Sequence, residues 1–365
     1  MATMYRTDHV GSLVRPDKLL DARDAYKAGR TTLEDLRAIE DEAILEVFEL
    51  QKEAGIEVFT DGEFRRQSWT TDQYDAVEGF AAEYPKNELV KPDGRKVMVQ
   101  FHTKPVVGKL RKLRRLTEHE SSFLLQHAPG PFKVTMPTPI RDFKIQHTLP
   151  VPYTSFEEIQ QDMADIFRDE LIALADEGVT YLQMDKVPTQ YMNQQTREEM
   201  KANGIDPDES FAKEIVIENY CYDAVRRDGI TLAIHFCRGS RVWWQGGTGA
   251  YDAIAEQAFN DLHVDRFLLE YDTERAGSFE PLRLVPNDKS VHLGLVSSKN
   301  PELESQDDLL RRIEEASKYI SIDQLGIGPQ CGFQGSSERD GAHMTIDNQR
   351  RKLELIVDTA RKVWG

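Results

Sequence analysis

Short apolar runs alternate with longer amphipathic stretches along the whole chain. The short runs are Tyr5–Val10, Val58–Asp61, Phe132–Met136, Thr180–Met184, Thr231–His235, Arg266–Glu270, Ser290–Leu293 and Gln324–Ile327. Runs of this length, with little polar alternation, predict strands covered on both faces. Between them a 3.6-residue period predicts helices over Thr32–Ala54, Phe156–Glu177, Glu209–Arg227, Tyr251–Leu262, Gln306–Tyr319 and Ile346–Val363. Several open on N-cap residues, such as Ser155 followed by Glu157 and Glu158. A strand-and-helix beat repeated eight times predicts an α/β protein of the (β/α)8 TIM-barrel class, one domain over residues 1–365. The stretch from about 65 to 130 is long for one such unit. It holds a candidate hairpin (Val97–Val107, after a Pro92-Asp93-Gly94 turn) and an amphipathic helix near Glu118–His127. It reads as an insertion after the second strand.

Composition narrows the class further. Only three cysteines in 365 residues argue against a disulfide scaffold and for a reducing compartment. No window nears the ~18 uninterrupted apolar residues of a membrane span, and the first residues lack a signal-peptide core, so a cytoplasmic location is expected. A formal charge of −17 weighs against nucleic acid as a partner. The basic stretch Lys109–Arg115 is the local exception, either a solvated face or a patch for an anionic substrate tail.

Barrel active sites form at the C-terminal ends of the strands, so the residues just past each run carry the chemistry. The first run leads into His9-Val-Gly11-Ser12 and the second into Asp61-Gly62-Glu63-Phe64-Arg65-Arg66. The fourth gives Asp185-Lys186, the fifth His235 and Cys237, the sixth Glu270-Tyr271-Asp272, the seventh Ser297-Ser298-Lys299, and the eighth Pro329-Gln330-Cys331-Gly332. A single buried His or Cys is most simply packing, and Glu270 alone is most simply a surface carboxylate or an arginine partner. Together, His235, Cys237, Glu270 and Cys331 offer one imidazole, two thiolates and one carboxylate at neighbouring strand ends, a donor set suited to Zn2+. So anionic a shell favours activation of a bound thiol over hydrolysis by bound hydroxide. Cys221, between Tyr220 and Tyr222 in a helical stretch, reads as a core or interface thiol.

Six segments together carry a family resemblance: His9-Val-Gly-Ser-Leu13, Asp61-Gly-Glu-Phe64, Tyr181-Leu-Gln-Met-Asp185, His235-Phe-Cys-Arg-Gly239, Leu268-Leu-Glu-Tyr-Asp272 and Gly328-Pro-Gln-Cys-Gly-Phe333. Over nearly its whole length the chain resembles the cobalamin-independent methionine synthases, in their short single-barrel form. The resemblance implies a zinc-dependent methyltransferase acting on a small thiol, homocysteine, with a methyltetrahydrofolate donor. It implies His235, Cys237, Glu270 and Cys331 as zinc ligands. It also implies Glu63 and Asp185 as catalytic-site carboxylates that bind the substrate ammonium, and Ser12 as a residue engaging the substrate carboxylate. Paired carboxylates suit an ammonium, because charge-assisted hydrogen bonds are strong and directional. Their ordinary alternative is pairing with Arg65, Arg66 or Lys186.

Two departures bear on the reaction. Lys186 stands where the long members of the family carry a glutamate, either as an anion-binding group or pointing outward to a neighbouring acid. Leu295-Val-Ser-Ser-Lys299 lacks the histidine that the long members use at the donor; His292 lies within the strand and reads as structural. Either Lys299 or water would then protonate the leaving donor, or the donor differs. Alternative readings are an alkyl transferase like epoxyalkane:coenzyme M transferase, for which Lys186 would suit a sulfonate, and a non-catalytic barrel that binds zinc or a thiol. Trp243 and Trp244 read as a stacking surface for a donor, a lid or a contact in a homodimer. Gly246-Gly247-x-Gly249 resembles a phosphate cradle only superficially.

Overall fold

The computed structural model describes residues 3–84, 86–90, 95–100, 104–139, 152–239, 249–335, 337 and 344–365. Six parallel strands form its main sheet: β5 (Val134–Pro137), β6 (Tyr181–Lys186), β7 (Thr231–Phe236), β8 (Arg266–Glu270), β9 (Ser290–Val296) and β10 (Leu325–Pro329). They pair in sequence order. The first two expected strands are not ladder strands. Each makes a single parallel bridge, Thr7 with Ile327 and Phe59 with Phe132. Between these two segments a side chain takes over from the backbone. Glu57 Oε2 accepts the Arg6 N–H at 2.6 Å and the Thr7 N–H at 2.7 Å, donors that a ladder would give to carbonyls. The Leu13 N–H reaches Gly62 O at 3.1 Å and completes the ring. The chain is thus a TIM barrel of six regular strands and two short extended segments.

Helices pack on the outside: α1 (Asp17–Lys27), α2 (Leu33–Ala54), α3 (Thr71–Ala76), α4 (Glu118–His127), α5 (Phe156–Glu177), α6 (Thr189–Met192), α7 (Gln194–Ala202), α8 (Pro207–Asp223), α9 (Ala255–Asp261), α10 (Gln306–Ala316) and α11 (Ile346–Trp364). Two of them open on capping boxes. Thr32 and Asp35 form a capping box at α2, and Thr345 and Asn348 do the same at α11. The expected helix over Tyr251–Leu262 is instead a 3₁₀ turn, Tyr251–Ala253, with α9 after it. Helices α1, α3, α6 and α7 have no counterpart among the expected helices. Among the described residues, no helix is long and apolar enough to cross a membrane.

Within the stretch 65–130, β1 (Val77–Phe80) pairs antiparallel with β4 (Val106–Lys112), and β2 (Lys86–Val90) with β3 (Lys96–Gln100). The expected hairpin over Val97–Val107 is therefore misplaced, because its two halves pair with different partners. The Pro92-Asp93-Gly94 turn lies outside the described residues. The basic stretch Lys109–Arg115 docks on α5, with Lys109 at 2.5 Å from Asp162, Lys112 at 3.9 Å from Asp169 and Arg115 at 3.0 Å from Glu170. Lys109, Arg111 and Lys112 remain exposed, Arg111 facing Glu78, so the stretch is a solvated face with acidic partners.

Inside the barrel, side chains alternate with those facing the helices. Val10, Val58, Tyr181, Ala233 and Leu268 form one apolar layer. Next to it lies a buried polar network. Lys133 Nζ donates to Asp8 Oδ1 at 2.7 Å, and the Tyr181 hydroxyl donates to Asp8 Oδ2 at 2.7 Å. The Arg266 guanidinium sits 5.6 and 5.2 Å from the rings of Tyr5 and Tyr181. His292 Nε2 lies 2.9 Å from Tyr5 O, a structural role. Burial works to raise the Asp8 carboxyl, but Lys133 and its cationic neighbours hold it at about 2. Burial, helped by the charge of Lys133 or Arg266, pushes His9 down to about 4 and His292 down to about 3.

In the unfolded chain these imidazoles take up protons near their usual 6.5, whereas in the folded chain they stay neutral. Their stabilising contribution is complete above pH 6.5 and is lost as pH falls toward 3. Between about pH 7 and about 4 these imidazoles pull the urea midpoint down, while buried carboxyls held at about 7, Asp185 and Glu270 among them, pull it up. The His292→Gln variant, which lacks one of the two imidazoles, should therefore gain stability relative to the parent as pH falls from about 7 to about 4.

Candidate metal centre

Strand register brings the four metal-ligand candidates to one rim. Asp185 pairs with His235 across β6 and β7, and Glu270 pairs with Gly294 across β8 and β9. Gly294 permits the last contact. A Cβ there would lie 2.7 Å from Gln330 Cα, so only glycine lets the segment after β10 come in over Glu270. One ligand atom from each of His235, Cys237, Glu270 and Cys331 lies within 4.8 Å of the others. The two sulfurs are 3.5 Å apart. His235 Nδ1 meets Leu268 O at 3.0 Å, which assigns the proton to Nδ1 and leaves Nε2 with a free lone pair. That Nε2 is buried and has no hydrogen-bond partner. A metal-bound histidine commonly has its other nitrogen held in this way.

Glu270 is held firmly in place. Its Oε1 accepts the Arg238 N–H at 2.6 Å. Its Oε2 accepts from Gln330 Nε2 at 2.9 Å and Arg275 Nη2 at 3.0 Å, with Lys299 Nζ at 3.7 Å. Burial pushes its carboxyl up to about 7, Cys237 adds to this, and Lys299 and His235 oppose it. The hydrogen bond between the two sulfurs splits them, so Cys237 is pushed well down and Cys331 well up. Burial disfavours a charged His235, but Cys237 beside it brings a net rise. The cluster favours anionic sulfur next to imidazole, as a soft divalent cation requires.

Glu63, Asp185 and Ser12 line the same rim. Glu63 is the one described non-glycine residue with positive φ, at 59°, a conformation that costs energy and recurs at functional sites. Its backbone N–H is tied to Asp61 Oδ1 at 2.9 Å. Its Oε1 accepts the Thr135 hydroxyl at 2.9 Å, while its buried Oε2 has no hydrogen-bond partner. Arg66 stands 3.5 Å from Glu63 but spends its closest contacts on Glu120. Burial pushes the Asp185 carboxyl up to about 7, and Glu63 adds to it while His235 and Gln183 oppose it. Ser12 is buried, and a Cβ on Gly332 would lie 1.9 Å from its Oγ. The loop after β10 therefore closes directly over Ser12, and the Phe333 N–H reaches Ser12 O at 2.9 Å.

The family described as "Cobalamin-independent synthase, Catalytic domain" matches residues 5–361. The chain belongs to this methyltransferase family. Among its relatives, the uncharacterized protein YxjH of Bacillus subtilis is 38% identical, over 99% of this chain and 95% of its own length. A methionine synthase of Thermococcus kodakarensis is 24% identical, over 96% of this chain and 93% of its own. Among solved structures, a Listeria monocytogenes protein provisionally assigned as a vitamin-B12-independent methionine synthase superposes with a TM-score of 0.75. It is 27% identical and covers 100% of this chain and 99% of its own.

The outward residues sort cleanly. Lys186, on the opposite side of β6 from Asp185, lies 2.8 Å from Glu214 and also contacts Glu218, so it is not a rim cation. Cys221 is buried, with its thiol 3.4 Å from Ala164 O, as a core residue. Trp243, Trp244, Gly246 and Gly247 lie outside the described residues. Several supporting residues carried no sequence signal of their own. Arg15 Nη2 donates to Glu63 O at 2.9 Å and its backbone N–H to Gln334 Oε1 at 2.7 Å, joining two rim loops. Thr135 holds Glu63, and Gln330 holds Glu270. Gln183 and Gln330 do lie inside the family segments, which were the available hint. Arg15 and Thr135 act only across long sequence separations.

The Lys186 assignment is testable. Lys186→Met should leave two acids facing each other without a cation and destabilise the fold by about 3–5 kcal/mol in urea titrations. A sulfonate-binding role would instead leave stability near that of the parent.

Proposed function

We propose that this chain is a zinc-dependent methyltransferase that moves a methyl group to a small thiol, homocysteine, to give methionine. One observation carries the reading: the buried, unpartnered Nε2 of His235 turned toward Cys237, Cys331 and Glu270. These four residues supply the imidazole, thiolate and carboxylate donors that suit zinc, and they would hold it. Zinc, when bound there, lowers the pKa of an incoming thiol so that it reacts as a thiolate.

The remaining work belongs to the chain's own groups. Glu63 Oε2 and Asp185 accept hydrogen bonds from the substrate ammonium, and their charges fix which end of the amino acid faces inward. Ser12, under the Cys331–Phe333 loop, engages the substrate carboxylate. Arg275 and Gln330 keep the Glu270 carboxylate oriented while the thiol enters. The donor is methyltetrahydrofolate, as the family resemblance implies. Its leaving amine takes a proton as the carbon–nitrogen bond breaks. The segment Leu295–Lys299 holds no histidine, so the Lys299 ammonium, 2.9 Å from Gly239 O, or water offers that proton. An alkyl transferase acting on a sulfonate thiol loses its supporting feature, since Lys186 is paired with Glu214 and Glu218 outside the rim.

Purified protein should contain about one zinc per chain, as a single four-ligand site requires, and should form methionine from homocysteine with a methyl-folate. Cys237→Ser and Cys331→Ser should each lose most of the zinc and the activity. Full activity in both variants would overturn the proposal, and zinc binding without turnover across a panel of donors would favour a non-catalytic barrel. Glu63→Gln should raise KM for homocysteine about tenfold, the cost of a lost hydrogen bond to a charged group.

A further inference from the structure

Tyr181, Gln183 and Asp185 alternate along β6 and all enter the barrel interior. Gln183 is fully buried, and both ends of its amide are occupied. Its Oε1 accepts from Lys133 Nζ at 2.7 Å. Its Nε2 donates to Val10 O at 2.6 Å and to Asp185 Oδ1 at 2.7 Å. An ammonium group has donors only, so Lys133 compels the amide to turn its oxygen downward and its nitrogen toward Asp185. Lys133 itself cannot swing away. Its other protons go to Asp8 Oδ1 at 2.7 Å and to His9 O. Asp8 is held in turn by the Tyr181 hydroxyl and by the His9 N–H, each at 2.7 Å. The polar atoms of Gln183, Lys133 and Asp8 are all matched, and such a network holds one arrangement.

We propose that Gln183 is a positioning residue for the amino-acid substrate. Clamped by Lys133, its amide fixes the rotamer of Asp185 and presents that carboxylate to the substrate ammonium. The inference rests on the reading of Asp185 as an ammonium-binding group. Gln183 touches no substrate itself. It acts through Asp185, and its removal should weaken the recognition of an amine rather than of a thiol.

Calorimetric titration of the zinc-loaded full-length protein tests this with two ligands, homocysteine and its deamino counterpart 4-sulfanylbutanoate. The parent protein should prefer homocysteine. Gln183→Met should weaken homocysteine binding about tenfold, the scale of one lost hydrogen bond to a charged group. It should leave 4-sulfanylbutanoate binding and zinc content unchanged. In an Asp185→Asn background the same substitution should add nothing, because the residue it acts through has already been disabled. If Gln183→Met does not fold, as judged by thermal unfolding, Gln183→Asn keeps a polar partner for Lys133 but falls short of Asp185. It should give the same selective loss. Equal weakening of both ligands, unchanged homocysteine binding, or multiplying effects with Asp185→Asn would overturn the inference while leaving the Asp185 reading intact. A parent protein that does not distinguish the two ligands would overturn that reading, and the inference with it.

Discussion

Lys133 carries a positive charge inside the barrel, wholly removed from solvent, and the architecture is arranged around keeping it paired. An isolated buried ammonium would lose its proton. Here burial does lower its pKa, but Asp8 opposes the fall with both charge and a hydrogen bond. The consequences are topological. Asp8 belongs to the first extended segment, Lys133 to the approach to β5, and Tyr181 and Gln183 to β6. The first segment has only one ladder bridge, to β10. The Lys133 contacts therefore bind it laterally across the interior, where backbone pairing does not reach.

The rim extends the same logic. Loops at strand ends are free to vary, so each candidate group there is held by a partner from a different loop. Arg15 ties the Glu63 loop to Gln334, Gly332 packs on Ser12, and Gln330 crosses to Glu270. Arg275 and Lys299 bring positive charge to Glu270, and Lys299 also acts on both sulfurs, which offsets the concentration of anionic ligand candidates. The conformational cost at Glu63, with φ of 59°, is sustained because Asp61, Thr135 and Arg15 all hold that turn.

Much of this was legible in one dimension because barrels repeat. A strand buried on both faces is an apolar run, and its chemistry falls at the next few residues. His235, Cys237, Glu270 and Cys331 could therefore be grouped although they lie far apart in the chain. The same regularity misled at Tyr5–Val10 and Val58–Asp61, where apolar content is that of strands but Glu57 replaces the backbone partner. It misled again at Val97–Val107, where two adjacent β segments pair with different partners. Turn residues mark where a chain reverses and do not name the strand it will meet.

The order of residues by itself determined the barrel class, the rim on which polar groups gather, and the chemical type of the four metal-ligand candidates. Those are consequences of periodicity and side-chain donor type, which are local properties. Only the tertiary structure decided which atom of each group is available. His235 Nε2 is free because Leu268 O takes Nδ1, Lys186 is withdrawn because Glu214 and Glu218 lie behind its strand, and Asp185 is aimed because Lys133 orients Gln183. Each of these depends on partners dozens of residues distant, and hydrogen-bond direction is set by the partner's position in space.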